Sequence, residues 1–214
     1  MNKCDPMMNI KEKYDFKSKK AVSKLPIIIG IVGLIVIVSV IVVFSFFPAF
    51  YSEPLTLNEA ENRAQQYVNQ YYGENLQIHE IMEFSNNFYV IVQEETTGIN
   101  AFELLVDRYG GGVTPEPGPN MMWNTKYQMG MHHGGFPSGP MTISAQEASE
   151  IAQNWLKSNF PGSVPKEPME FYGYYTFDFS RDGNTLGMLS VNGYSGEVWY
   201  HNWHGQFIRS RDYS

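Results

Sequence analysis

A short segment near the middle of the chain combines methionine and histidine at close spacing. It contains Met129, Met131, His132 and His133 within a run rich in glycine and proline. Thioether sulfur selects Cu(I) and imidazole suits Cu(II), so these four side chains are candidate copper ligands. The alternative is that Met121, Met122 and Trp123, earlier in this run, pack against the neighbouring domains as flexible apolar side chains, with the histidines in solvent.

A second segment, Val198-Trp199-Tyr200-His201-Asn202-Trp203-His204, is aromatic and contains two histidines. On a β-strand, Trp199, His201 and Trp203 would share one face, which we predict either packs in the core or binds a partner protein. His201 and His204 are three residues apart, so a strand would place them on opposite sides and prevent them from sharing a metal ion. A turn at this point would bring the two imidazoles together.

The remaining motifs do not predict an enzyme. His79-Glu80 begins like the zinc-peptidase motif H-E-x-x-H, but position 83 is Glu and the second histidine is missing. Glu59 and Glu147 are explained by helix capping. The sequence therefore predicts no catalytic residues and no bound cofactor, with copper as the alternative.

The formal net charge of -7 is unevenly distributed. A lysine-rich head is followed by an uncharged block, residues 27–47, in which 17 of 21 residues are Ile, Val, Leu or Phe, and then by an acidic body. The block predicts a transmembrane helix, and the lysines before it predict a cytoplasmic N-terminus. Residues 48–214 are then expected outside the cell, anchored to the lipid bilayer by a single pass. The acidic body argues against nucleic acid as a partner.

The outer region contains an internal repeat. Leu55–Ala60 aligns with Ile143–Ala148, and each segment contains the S/T-x-x-E spacing of a capping box, at Thr56 and Ser144. Apolar residues then recur at helical spacing, which predicts helices near residues 57–72 and 145–159.

After each helix the apolar period becomes two, which is typical of strands with one buried face. Phe88, Val90 and Val92 show the pattern in the first copy, and Tyr175, Phe177 and Phe179 show it in the second. The Asp182-Gly183 pair predicts a tight hairpin. Each copy therefore reads helix, strand, strand, strand.

This order, together with the hairpin Val191-Asn192-Gly193-Tyr194-Ser195-Gly196-Glu197-Val198, resembles the PepSY family. The second copy fits over residues 142–204, whereas the first, over 55–113, has Gly110 where the pattern has Ser or Thr. The resemblance implies short α+β modules that inhibit or chaperone secreted peptidases, or restrain peptidases and cell-wall hydrolases. It implies no catalytic residues.

The predicted fold class is thus α+β, with one N-terminal transmembrane helix followed by two PepSY-like modules. The predicted function is non-enzymatic binding or regulation of an envelope peptidase or hydrolase, with extracytoplasmic copper binding as the alternative. The predicted organisation has five segments: a basic tail (1–26), the transmembrane helix (27–47), module 1 (48–113), a Gly/Pro/Met-rich linker (114–141) and module 2 (142–214).

Overall fold

The computed structural model describes residues 25–46, 53–127, 137 and 139–213. The chain divides into two units, residues 1–51 and 52–214. The first unit contains helix α1, Leu25–Phe46.

The prediction of a membrane-spanning helix is contradicted. Within the described part of the chain, no helix has both the length and the apolar character needed to cross a bilayer. The single-pass topology and the extracytoplasmic location that were inferred from residues 27–47 are contradicted with it.

The second unit contains three helices and ten strands among the described residues. Helices α2, α3 and α4 are Leu57–Tyr71, Pro119–Met122 and Ala145–Asn159. The strands are β1 Leu76–Phe84, β2 Asn87–Glu94, β3 Asn100–Asp107, β4 Val113–Pro115, β5 Val164–Pro165, β6 Met169–Phe171, β7 Tyr174–Arg181, β8 Asn184–Asn192, β9 Val198–Tyr200 and β10 Phe207–Asp212.

Both predicted capping boxes are confirmed. The Thr56 backbone N–H donates to Glu59 Oε2 at 2.8 Å, and the Glu59 N–H donates to Thr56 Oγ1 at 3.3 Å. Ser144 and Glu147 repeat this arrangement with distances of 2.8 and 3.3 Å. Because each box satisfies amide groups that the first helical turn leaves unpaired, it fixes where α2 and α4 begin.

The predicted hairpin at Asp182-Gly183 is also confirmed. These two residues connect β7 to β8 and have φ values of 53° and 81°. Two successive positive φ values are characteristic of the tight turn whose twist matches that of paired strands. β7 and β8 consequently pair from Tyr174↔Asn192 to Arg181↔Asn184.

The predicted fold class is wrong, because the strands of the two copies form one mixed sheet. Its order is β10-β1-β2-β3-β6-β7-β8-β9, with β4 on β3 and β5 on β7. A parallel bridge, Asn100↔Phe171, joins β3 to β6, and β10 returns to pair antiparallel with β1. The chain is therefore not built from separate helix-strand-strand-strand modules.

The sheet must be strongly curved. β9 and β10 lie at opposite ends of the strand order, yet only residues 201–206 connect them. Seven strand spacings would separate the two strands by about 34 Å in a flat sheet. The seven Cα steps from Tyr200 to Phe207 reach only about 25 Å when fully extended.

Both faces of the central strands are buried, rather than one face as predicted. On the helix-covered face, alternate residues of β2 and β3 pack against α2, and those of β7 and β8 pack against α4. The other face, here called the inner face, contains a third core cluster: Met82, Phe84, Tyr89, Ile91, Trp123, Phe171, Tyr174 and Met188. The polar residues that alternate along these strands therefore point into the protein.

Candidate functional site

A buried carboxylate, Glu116, lies between two histidines at the inner face. Its Oε1 atom is 3.0 Å from His201 Nδ1 and 2.9 Å from His204 Nε2. The side chains of Glu116 and His201 are 0% exposed and that of His204 is 2% exposed. Two segments supply this Glu-His-His cluster: the one after β4, which contains Glu116, and the connection between β9 and β10, which contains both histidines.

The two histidines meet because strand β9 ends at Tyr200 and a turn follows. The turn places the imidazoles of His201 and His204 on the same side, with ring centroids 5.8 Å apart and planes at 23°. Their spacing of three residues, which would separate them on a strand, thus brings them together here.

A second buried carboxylate, Glu103 on β3, accepts three hydroxyl hydrogen bonds. Tyr89 and Thr176 donate to its Oε1 at 2.7 and 2.9 Å, and Tyr174 donates to its Oε2 at 2.9 Å. Thr176 Oγ1 is also 2.7 Å from Ser190 Oγ, which lies 2.9 Å from His201 Nε2. A continuous polar network therefore links Glu103 to the Glu-His-His cluster.

The two carboxylates have opposite pKa shifts. Burial raises the pKa of Glu103, and the nearby Glu116 raises it further. Burial alone would also raise the pKa of Glu116, but His201 and His204 outweigh it and lower that pKa. Burial would lower the pKa of His201, but Glu116 outweighs burial and raises it. The cluster thus favours ionised Glu116 with positive charge beside it.

Of the residues proposed from the sequence as a partner surface, His201 belongs to this cluster and Trp203 contacts it, whereas Trp199 packs against the inner-face core. Trp203 Nε1 donates to Glu116 Oε1 at 3.1 Å, and its ring stacks on His201 at 5.2 Å. Trp199 and Trp203 are partly exposed, whereas His201 is buried. No described contact brings a partner to these residues, so partner binding by Trp199, His201 and Trp203 stays a prediction.

The predicted copper ligands Met129, Met131, His132 and His133 lie outside the described residues. Sequence reasoning missed Glu116, because it lies in the Gly/Pro-rich segment that was interpreted as a linker. It also missed Thr176 and Ser190, which occupy the polar positions of alternating strands. The alternation of polar and apolar residues along β7 and β8 identifies Thr176 and Ser190 as inner-face residues only once both faces of the sheet are known to be buried.

A further carboxylate with a shifted pKa, Glu80 on β1, supports a pH prediction. The pKa of Glu80 is raised to about 7. Burial raises it most, Asp178 and Asp212 raise it further, and Lys166 and the Ser210 hydroxyl lower it. The folded state then binds more protons than the unfolded state between the ordinary and the raised pKa, so the contribution of Glu80 to the free energy of unfolding falls as pH rises through this window. We expect Glu80→Gln to gain about 1–2 kcal/mol relative to the parent chain between pH 5 and pH 8, after allowance for solvent screening.

Urea unfolding at pH 5, 6, 7 and 8 would measure this difference. The parent and variant curves should diverge as pH rises. If the two free energies of unfolding stayed parallel across that range, Glu80 would not have a raised pKa.

Comparison with known proteins assigns no family to the chain. No family model matches the chain, and no curated protein matches it. A solved structure, the Bacillus megaterium YpeB C-terminal domain, matches with 15% sequence identity and a TM-score of 0.26. The match covers 68% of this chain and 62% of that one, so it spans less than two thirds of the YpeB domain. The structural similarity is weak, and no residue of the site is assigned from it.

Proposed function

We propose that this protein is a non-enzymatic, PepSY-like binding module that engages a peptidase or hydrolase through the edge of its sheet. The observation that supports this most directly is the position of β10. It is the terminal strand of the sheet order, with β1 on one side and, among the described residues, no strand on the other. An exposed strand edge can accept an extended segment of a partner as an additional strand.

The hydrogen-bond direction along β10 supports such pairing. The Tyr213 N–H, just after β10, donates to the His79 carbonyl at 2.9 Å and so points toward β1. Because backbone groups alternate in direction along an antiparallel strand, the Ser210 N–H is expected on the opposite, outer side. Ile208 is 48% exposed and Tyr213 is 42% exposed, so apolar contact area is available beside this edge.

Burial of the titratable cluster supports a non-enzymatic role. Glu116, His201 and His204 have almost no solvent exposure, so a substrate has no direct access to them. A general acid or base must come within hydrogen-bonding distance of the group that reacts. The capped helices and the hairpin at residues 191–198, on which the PepSY resemblance rests, also point to a module without catalytic residues.

The proposal predicts that Ser210→Pro weakens partner binding at least tenfold, because proline removes the outward N–H. Proline is tolerated at strand edges when its missing N–H faces solvent, so the fold should persist. Ser210→Ala is the matched control, since it removes the hydroxyl that interacts with Glu80 and keeps the N–H. Binding would be measured by biolayer interferometry against purified secreted metallopeptidases and cell-wall hydrolases, together with their activities.

The expected result is a panel member that binds the parent chain and Ser210→Ala equally, and Ser210→Pro at least tenfold more weakly. The proposal is overturned if no panel member binds or changes activity. Equal binding by Ser210→Pro would overturn the edge mechanism.

A further inference from the structure

The arrangement of protons around His204 leaves a lone pair directed at the Glu-His-His cluster. Asn87 Nδ2 is 3.5 Å from the Trp203 carbonyl and donates to it, so Asn87 Oδ1 faces His204 Nδ1 at 2.9 Å. An amide oxygen only accepts, and His204 Nδ1 must therefore carry the proton. In a neutral imidazole, Nε2 then presents a lone pair toward Glu116.

The same reasoning applies to His201 from the other side. Thr176 has one hydroxyl proton, which it donates to Glu103, so Ser190 donates to Thr176. Ser190 Oγ must then accept the proton of His201 Nε2, 2.9 Å away. Without a metal ion, His201 Nδ1 donates to Glu116 Oε1 at 3.0 Å. A metal ion that displaces this proton would meet the Nδ1 lone pair, directed at Glu116 Oε1.

Two polar atoms of the cluster lack hydrogen-bond partners. Glu116 Oε2 and His204 Nε2 are buried and form no hydrogen bond among the described residues. His204 Nε2 lies 2.9 Å from Glu116 Oε1, but the contact is not aligned as a hydrogen bond. Buried polar atoms without partners are rare, because each costs about 1–3 kcal/mol.

Two imidazole nitrogens and a carboxylate thus face one another, and each histidine has a hydrogen-bond acceptor on its other nitrogen. Histidines that bind metals nearly always have such an acceptor, which fixes the tautomer and the ring orientation. The three candidate ligand atoms lie within 4.8 Å of one another. Ligand atoms about 2.0–2.2 Å from a tetrahedral ion are about 3.4 Å apart, so an ion requires only a small expansion of the 2.9 and 3.0 Å contacts.

We infer that Glu116, His201 and His204 bind one divalent transition-metal ion of the Zn²⁺ type. Two nitrogens and one carboxylate oxygen suit this class of ion, whereas Ca²⁺ and Mg²⁺ require mainly oxygen ligands. The charge of the ion would also compensate the buried carboxylate of Glu116. The ion would tie the segment after β4 to the turn between β9 and β10, which is a structural role separate from partner binding at β10.

The inference predicts that the full-length chain, freed of metal with a chelator, binds one equivalent of Zn²⁺ with micromolar or tighter affinity. Isothermal titration calorimetry measures this affinity, and Co²⁺ substitution should give the visible absorption of a nitrogen- and oxygen-ligated ion. Saturating Zn²⁺ should raise the Tm by about 5 °C or more, because the ion binds the folded state alone. Mg²⁺ and Ca²⁺ should do neither.

Variants separate this site from others in the chain. Glu116→Gln and His204→Ala each alter a ligand and should weaken Zn²⁺ binding about 100-fold or more. Asn87→Ala and Ser190→Ala remove the acceptors on the other nitrogens of His204 and His201, and each should weaken binding about tenfold. His79→Ala is the control histidine outside the cluster. A chain in which Met129, Met131, His132 and His133 are all replaced should keep the Zn²⁺ affinity of the parent.

Circular dichroism would check the fold of each metal-free variant. Asn87→Ala and Ser190→Ala keep the test informative if a ligand variant fails to fold. The inference is overturned if the parent chain binds no Zn²⁺ below about 100 μM, an affinity of only about 5 kcal/mol. It is equally overturned if the loss follows the four linker residues, or if NMR shows both imidazoles protonated in the presence of Zn²⁺.

Discussion

Replacing Glu103 by alanine should lower the free energy of unfolding of residues 52–214 by about 4 kcal/mol. The variant removes the acceptor of three buried hydroxyl groups, those of Tyr89, Tyr174 and Thr176, and leaves a cavity in the inner face. Each unpaired buried hydroxyl costs about 1–3 kcal/mol, and partial rearrangement reduces the sum. For a domain of this size the Tm should fall by about 8–16 °C.

Glu103→Gln is the matched control for this prediction. It keeps the volume and one acceptor oxygen, and it resembles the protonated acid that the raised pKa of Glu103 favours. We expect a loss of about 1–2 kcal/mol, the usual scale for one impaired buried hydrogen bond. Urea unfolding measures both variants, and equal losses for alanine and glutamine would show that the hydroxyl network contributes nothing beyond volume.

The second large effect is expected at Gly173, in the turn between β6 and β7. Its φ is +104°, and a Cβ added there would lie 2.3 Å from the Trp123 carbonyl oxygen. The obstruction is backbone, so it cannot move aside without displacing the segment that follows α3. Gly173→Ala should therefore cost about 3 kcal/mol or more, from steric overlap added to an unfavourable backbone conformation.

Gly183→Ala separates the two contributions. Gly183 also has a positive φ, +81°, but an added Cβ there would meet no atom within 4 Å. Only the conformational cost of about 1–2 kcal/mol should remain. Chemical denaturation of both variants tests the difference, and a Gly173→Ala chain no less stable than Gly183→Ala would contradict the close approach.

Elements determined by local interactions could be predicted from the sequence. Helix α4 has the predicted bounds, and α2 ends one residue before the predicted end. Both helices begin where predicted, because a capping box depends on only four neighbouring residues. The turn at Asp182-Gly183 is equally local. Such features are defined by neighbouring residues, so the sequence contains their full signal.

The arrangement of the sheet could not be predicted in the same way. The strands of the two repeats join through the Asn100↔Phe171 pair. Strand β10 pairs with β1 in a register that runs from Glu80↔Asp212 to Phe84↔Phe207. Pairings between distant segments have no local pattern. Alternation along β2 and β7 predicted strands correctly, but it did not show that the polar face is also buried.

The Glu-His-His cluster was missed for the same reason. His201 and His204 were considered as a pair and set aside, because the end of strand β9 at Tyr200 was not predicted. Glu116 lies 85 residues before His201. The Gly/Pro-rich composition of residues 114–141 gave no indication that Glu116, the one acidic residue of this segment, would be fully buried.

The pairing of β10 with β1 has a consequence for the order in which the chain can fold during synthesis. Ribosomes release the N-terminal residues first, and the Arg211–Glu61 ion pair joins residues 150 positions apart. Until β10 emerges, the edge of β1 lacks its neighbour, and unpaired strand edges favour association with other chains. Distant pairings also form slowly, because a long loop must close before any contact stabilises it. The nascent chain therefore depends on β10 to protect a sheet edge that was synthesised long before it.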